Sequence, residues 1–313
     1  MARSTCTVCK RREPVFFRPY SGERLCRKCF CRSVEEKVKA TIAKYGMLVF
    51  DDRIMVAVSG GKDSLTLLHI LHRIEEAFPK ARLYAVTVDE GISGYRDEAV
   101  KLAEKAYASI GIDYTVVSFK ELYGITLDEI AAMIRERGKG LTPCSYCGVL
   151  RRRAMNVAAK RAGATKLATA HTLDDEAQTF LLNVFHGDVW RIARVKPVTD
   201  PVHPGLVQRI KPMCEVPERE TAMYAYFKGI GFQSTPCPYA GTALRNDIRV
   251  LLNRMEEKHP GIKYTIFRSV ERLREALERA VAKEGLGACE VCGEPAVGRT
   301  CKVCEMLEDL GVS

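Results

Sequence analysis

A strand-like run, Arg53 to Val58, passes through Ser59-Gly60-Gly61-Lys62-Asp63-Ser64 into a stretch of helical apolar spacing, Leu65, Leu68, Leu71 and Ile74 within Ser64 to Ala77. This hand-over from strand to helix constrains the fold more than any other feature of the chain. The two glycines permit torsions and a close backbone approach that a Cβ would forbid. Successive amides then face a helix N-terminus, where unpaired N–H groups and the macrodipole favour phosphate. Lys62 adds a point charge, and Ser59 and Ser64 add hydroxyl donors. The spacing differs from GxxxxGK[ST], so a phosphate-transferring NTPase of that kind is not implied. The bland alternative is an ordinary glycine-rich turn. Lys, Asp and Ser in register behind a buried strand favour a nucleotide loop.

The same alternation continues. Leu83 to Val88, Tyr114 to Val117 and Lys166 to Ala170 read as strands, and Asp97 to Ile110 as a helix. Strands alternating with helices of this length predict an α/β fold with a doubly wound, Rossmann-like parallel sheet. Ligands in such sheets bind beyond the carboxyl ends of the strands, which singles out Ser59, Asp89 and His171. From Pro217 onward the pattern is mostly helical, over Ala222 to Lys228, Leu244 to Lys258 and Val270 to Lys283. Three regions are expected: 1–33 and 285–313, both short and Cys-rich, flanking a catalytic domain at 34–284.

Within 313 residues Lys and Arg outnumber Asp and Glu by 49 to 39, a net charge of +10. Such an excess suits a polyanionic partner, nucleic acid above all, although a basic surface also serves solubility. Local concentrations at Lys10-Arg11-Arg12, Arg24 to Lys28, Arg151-Arg152-Arg153 and Lys160-Arg161 favour the first reading. No run approaches the roughly 20 apolar residues of a membrane span, and Met1 to Lys10 lacks the apolar core of a signal peptide. A soluble, cytoplasmic protein with no membrane contact is expected.

Cysteine placement is more informative than the count of 13. Cys6-x-x-Cys9 with Cys26-x-x-Cys29, and Cys289-x-x-Cys292 with Cys301-x-x-Cys304, are paired knuckles of tetrahedral zinc spacing. Segments this small build little core, so two Zn2+ ions would supply their folding energy, leaving Cys31 spare. A further pair, Cys144-Ser145-Tyr146-Cys147, follows Pro143, and Cys237 lies between Pro236 and Pro238. By itself a CxxC serves as half a zinc site, a redox pair or part of an iron–sulfur site.

Ala170-His171-Thr172-Leu173-Asp174-Asp175-Glu176-Ala177 again leads from a strand into a helix. Thr172 is a cap candidate and the acids suit the helix dipole, a sufficient structural reason for them.

The hexapeptide at Ser59 resembles the PP-loop of ATP pyrophosphatases, which adenylate a substrate and release pyrophosphate. Cys144 to Arg152, Asp89-Glu90-Gly91-Ile92-Ser93-Gly94-Tyr95-Arg96, Lys211-Pro212 and Tyr224 to Lys228 are similar to segments of the tRNA 2-thiouridine synthetases within that group. The resemblance implies ATP contacts at Ala57, Ser59, Gly60, Gly61, Lys62, Asp63, Ser64, Arg151, Ala170 and Asp175. Asp63, Arg151 and Asp175 are the implied catalytic residues, with Mg2+ beside the acids. Ala170 and Thr172 depart from the commoner Gly and Asn of the matching segment. The resemblance also implies a [4Fe–4S] cluster on Cys144, Cys147 and Cys237.

The expected reaction is ATP-dependent adenylation of the uridine C2 oxygen of tRNA followed by sulfur transfer, at the anticodon wobble position or alternatively in the T-loop. By analogy with archaeal and eukaryotic relatives, a small ubiquitin-like protein brings sulfur as a thiocarboxylate. A homodimer is the expected assembly. Rival readings are a PP-loop ligase needing no cluster, a zinc-ribbon RNA-binding protein with an inactive loop, and sulfur transfer through a Cys237 persulfide.

Overall fold

The computed structural model describes residues 5–76, 80–138, 141–199, 203–240, 244–280 and 285–312. The expected helix ends at Ala77 and Lys283, and the domain boundary at 284, lie outside these residues. A hairpin, β1 (Phe16–Arg18) and β2 (Glu23–Leu25), leads into α1 (Arg27–Lys44), which runs unbroken across the expected boundary at 33–34. The alternating part follows as β3 (Arg53–Ala57), α2 (Lys62–Glu75), β4 (Arg82–Asp89), α3 (Arg96–Ile110) and β5 (Asp113–Ser118). Three helices, α4 (Phe119–Tyr123), α5 (Leu127–Arg137) and α6 (Pro143–Arg161), precede β6 (Lys166–Ala168). Next come α7 (Leu173–Phe185), α8 (Val189–Ala193), β7 (Gln208–Ile210), α9 (Glu218–Lys228), α10 (Leu244–Lys258) and α11 (Ile262–Ala280). A second hairpin, β8 (Gly287–Ala288) and β9 (Pro295–Ala296), leads into α12 (Lys302–Leu310).

The central strands pair in the order β5-β4-β3-β6-β7, every pair parallel. The order reverses between β3 and β6, so the segments leaving these two strands diverge and open a crevice at their carboxyl ends. Both faces of the sheet are covered, as a parallel sheet requires. Ile54, Val56 and Val58 share a core with Val34 and Val38 of α1, Leu65 and Leu68 of α2, Tyr107 of α3 and Tyr224 of α9. Met55, Val86 and Val88 face the other way, toward Phe119, Ile130, Leu150 and Ala154 of α4 to α6 and Met306 of α12. The two-residue period of β3 thus sorts its side chains between two helical layers.

β6, α11 and β7 depart from the sequence reading, and α9 begins at Glu218, one turn ahead of Ala222. β6 stops at Ala168, leaving Ala170 and His171 in the connecting loop. α11 begins at Ile262, two turns ahead of Val270, directly after Gly261 at φ +95°. β7 joins the sheet unforeseen, since only Ile210 of its three residues is buried. No helix among the described residues is long and apolar enough to cross a membrane.

Candidate active site at the sheet switch point

β3 hands the chain to α2 through Ser59, Gly60 and Gly61. Gly60 has φ +85°, and a Cβ there would lie 2.5 Å from the carbonyl oxygen of Ala99, so the loop packs on α3 only as glycine. Ser64 Oγ donates to Gly61 O at 2.9 Å and accepts from Ser59 N at 3.1 Å, while the Ser59 and Ser64 hydroxyls lie 3.2 Å apart. The two serines therefore brace the loop from within. Gln233 N fixes it from outside, donating to Gly60 O at 3.0 Å. Ala57 ends β3, immediately ahead of this turn.

Lys62 Nζ donates to Asp63 Oδ2 at 2.8 Å and to Glu218 Oε1 at 2.6 Å. The Thr221 hydroxyl donates to the other Asp63 oxygen. Partial burial pushes the Asp63 carboxyl above its usual range, against the opposing pull of Lys62 and Thr221. Glu218 and Thr221 belong to the first turn of α9, and the sequence reading gives them no role. Pro217 followed by acids at Glu218 and Glu220 is the helix-start signal that marks them.

Behind the loop runs a chain of charges. Arg96 donates to Ser59 O at 2.9 Å and to Val88 O at 2.5 Å, and its Nε lies 2.7 Å from Glu90 Oε2. Glu90 in turn pairs with Arg151 of α6 at 3.5 Å. Arg151 remains half-exposed, whereas Glu90 and Arg96 are buried. One continuous set of contacts thus links the nucleotide loop, the end of β4 and α6.

On the neighbouring strand Thr172 caps α7 in a capping box. Its amide and hydroxyl donate to Asp175 Oδ2 at 2.9 and 2.8 Å. The adjacent acids diverge. Asp174 is buried, paired with Lys263 of α11, and accepts from Glu218 N at 2.7 Å. Asp175 stays partly exposed, its Oδ1 3.9 Å from Arg245. Ala170 is half-buried just ahead of them, and His171 Nδ1 lies 2.9 Å from Thr169 Oγ1.

Thr142 caps α6 with Pro143 in its first turn, so Cys144 and Cys147 sit at the start of the helix that carries Arg151. Cys237 approaches on the loop before α10. Tyr239 secures that loop: its carbonyl accepts from Cys144 Sγ at 3.1 Å and its hydroxyl donates to Asp128 at 2.6 Å. Asp128 also accepts from Ser93 N at 2.9 Å, tying the Asp89–Arg96 segment to the same corner. Three free thiols on two elements form a donor set suited to an iron–sulfur cluster with one iron left without a protein ligand.

The terminal knuckles gather more tightly. Cys6, Cys9, Cys26 and Cys29, and likewise Cys289, Cys292, Cys301 and Cys304, bring their sulfurs within 4.8 Å of one another. Cys9 and Cys26 are 3.9 Å apart and Cys292 and Cys301 3.7 Å, against an edge of about 3.8 Å for a tetrahedron with Zn–S near 2.3 Å. Both quartets therefore fit Zn2+. Cys31 and Cys214 are buried outside them. The sulfurs of Cys144, Cys147 and Cys237 are not drawn together within 4.8 Å.

A PP-loop domain family matches residues 31–256, and the N-terminal LIM domain of 2-thiouridine synthetase TtuA matches residues 5–31. The tRNA 2-thiolation protein NcsA of Haloferax volcanii is 35% identical, over 97% of this chain and 98% of its own length. The chain belongs to the tRNA 2-thiolation family. Cytoplasmic tRNA 2-thiolation protein 1 of Bos taurus, at 35% identity over 99% of this chain and 89% of its own, is similar to it as well. Among solved structures, the U34-tRNA thiolase NcsA from Methanococcus maripaludis with its [4Fe-4S] cluster superposes with a TM-score of 0.86. That chain is 33% identical, with 100% of this chain and 98% of that one covered. Membership in this family agrees with the expected fold class and PP-loop.

Proposed function

We propose that this member of the tRNA 2-thiolation family converts a tRNA uridine to 2-thiouridine by adenylating the uracil C2 oxygen and then replacing it with sulfur. The observation carrying the reading is the set of contacts from Ser59 through Arg96 and Glu90 to Arg151, with Cys147 one helical turn before Arg151. A nucleotide loop and a sulfur-handling trio then address one substrate.

ATP is the co-substrate. The amides opening α2 receive its phosphates, and Lys62 exchanges its carboxylate partners for phosphate oxygens. Ala57, Ser59, Gly60, Gly61, Ser64 and Ala170 line the nucleotide. Asp63 and Asp175 are the carboxylates that would hold Mg2+, which when bound neutralises phosphate charge.

The uracil C2 oxygen attacks the α-phosphorus, and pyrophosphate leaves with the electron pair of the broken P–O bond. Arg151, oriented by Glu90, stabilises charge developing at the base. A sulfur nucleophile then adds to C2, and the C2–O bond breaks so that AMP carries the oxygen away. Water attacking the same carbon would waste the adenylate, so the base has to leave its stack for an enclosed site.

Cys144, Cys147 and Cys237 would hold a [4Fe–4S] cluster, which would supply Lewis-acid chemistry for handling the incoming sulfur. The two terminal cysteine quartets would hold structural Zn2+. Sulfur delivery by a ubiquitin-like carrier and action as a homodimer complete the reading. Similarity to a U34-tRNA thiolase over the whole chain supports the anticodon wobble position as the address.

Position-mapped nucleoside mass spectrometry tests it, on tRNA treated anaerobically with the chain, ATP and sulfide. Thiouridine at the first anticodon position is expected. Thiouridine in the T-loop would move the address, and none at any position would overturn the reading.

A further inference from the structure

Three successive arginines on α6 have three different fates. Arg151 pairs with Glu90, and Arg153 donates to Cys292 Sγ at 3.1 Å, fastening the C-terminal knuckle to the helix. Arg152 reaches the surface with no acidic partner among the described residues.

The segment entering β7 is hydrogen-bonded to α6 and brings a fourth arginine beside it. Asn156 of α6 donates to Gly205 O at 2.9 Å and accepts from Val207 N at 2.9 Å, which sets the register between the helix and the strand. Arg152 stands one turn before Asn156 on the same helix face. Val207 immediately precedes β7, and Arg209 stands two residues beyond it, on the same side of the extended chain. The helix runs antiparallel to the sheet, for Arg151 meets Glu90 beyond the end of β4 while Gly163 O meets Arg53 at the start of β3. One helical turn is about 5.4 Å and two strand residues about 6.6 Å, so both arginines reach the same level, toward the carboxyl ends of the strands. Val207 packs against the core that contains Leu150 and Ala154 of α6, whereas Ile210 belongs to the opposite core, so the face carrying Arg209 is the one turned to α6.

Arg209 also lacks an acidic partner among the described residues. Around the site the other cations are satisfied: Lys62 by Asp63 and Glu218, Arg96 by Glu90, Lys211 by Glu176. Partial removal from water lowers the pKa of both guanidiniums, and the like charges of Arg209 and Arg151 lower that of Arg152 further. Two uncompensated charges held at one level disfavour each other until an anion joins them.

We propose that Arg152 and Arg209 together bind one backbone phosphate of the RNA substrate, close to the nucleotide that enters the site. The inference rests on the tRNA-thiolating reading and adds to it the groups that grip the strand. Two planar guanidinium forks match phosphate oxygens, and such contacts set position without reading sequence. A phosphate of ATP offers the same chemistry, but the two arginines lie on the α6 face of the sheet and α2 packs on the other.

Arg152→Gln, Arg209→Gln and the double variant are compared with the intact metal-loaded chain for tRNA affinity across a salt series. ATP affinity is measured on the same preparations without RNA. Each single variant is expected to weaken tRNA binding roughly tenfold at low salt, and to flatten the slope of log K against log salt by about one. The double variant is expected to lose little more than either single, because both arginines serve one phosphate. ATP affinity should not change. Arg209→Lys, which keeps the charge, should retain most of the slope, and Arg152 is exposed, so its variant should fold. Unchanged tRNA affinity and slope would overturn the proposal. Weakened ATP binding with tRNA binding intact would assign the two arginines to a nucleotide phosphate and equally overturn it. If the unmodified chain bound no tRNA, the thiolation reading itself would fall; normal thiolation with indifferent variants would sink this inference alone.

Discussion

Arg96 and Glu90 form a buried ion pair at 2.7 Å, each side chain about 5% exposed, directly behind the nucleotide loop. The same guanidinium holds the Ser59 and Val88 carbonyls, so it couples loop geometry to the end of β4. Arg96→Met strands a buried carboxylate and should cost about 3–5 kcal/mol in denaturant unfolding. Arg96→Lys should recover part of that stability but not the bond pattern at Ser59. Its thermal shift on adding ATP should therefore remain smaller than that of the unmodified chain. An undiminished ATP shift in both variants would refute the coupling.

Asp174 and Asp175 are adjacent yet should fail differently. Asp174→Asn removes the charge partner of the buried Lys263, and the predicted loss is about 3–5 kcal/mol of stability. Asp175→Asn keeps an acceptor for the Thr172 cap, so stability should move by no more than about 1 kcal/mol. Thiolation should nevertheless fall by about a hundredfold or more if Asp175 serves ATP and Mg2+. Melting curves and single-turnover assays on both variants separate the two roles.

Much of this site is legible in the sequence because its signals are local. Two glycines before Lys62, and Thr172 three residues ahead of Asp175, specify a turn and a cap by short-range chemistry. The CxxC at Cys144 is legible as a motif, but its place inside α6 follows from Thr142 and Pro143, a cap and first-turn pair. Arg96, Glu218, Thr221 and Arg209 reach the site through tertiary packing. Three-residue β7, with one buried side chain, carries no periodic pattern from which Arg209 could be placed. α11 starts two turns earlier than Val270 because Pro260 and Gly261 break the chain there and set Ile262 as its first residue.

Metal analysis should divide the cysteines into two classes. Anaerobically prepared protein is expected to hold zinc and iron together. Cys144→Ala, Cys147→Ala and Cys237→Ala should lose iron and keep zinc. Cys301→Ser should lose one zinc and lower the melting temperature, because Arg153 and the Tyr146–Asp309 hydrogen bond fasten that module to α6. Full iron in all three central variants would exclude them as cluster ligands.

Acid should destabilise the fold partly through His69. Burial, then Lys228 and Arg73, hold its pKa down to about 4, and its Nε2 is buried without a hydrogen-bond partner among the described residues. The unfolded chain takes up this proton near pH 6.5 and the folded chain only near 4, so stability falls as pH drops through that window. His69→Gln should flatten the dependence of melting temperature on pH between 6.5 and 4. An unchanged slope would assign the acid sensitivity elsewhere.

The central claim, that ATP activates the uridine oxygen that sulfur replaces, is tested most directly with tRNA carrying 18O at the C2 position of the target uridine. Mass spectrometry of the nucleotide product should find one 18O in AMP for each 2-thiouridine formed, with pyrophosphate released in equal amount. Thiolated tRNA accompanied by unlabelled AMP, or by ADP, would contradict the account.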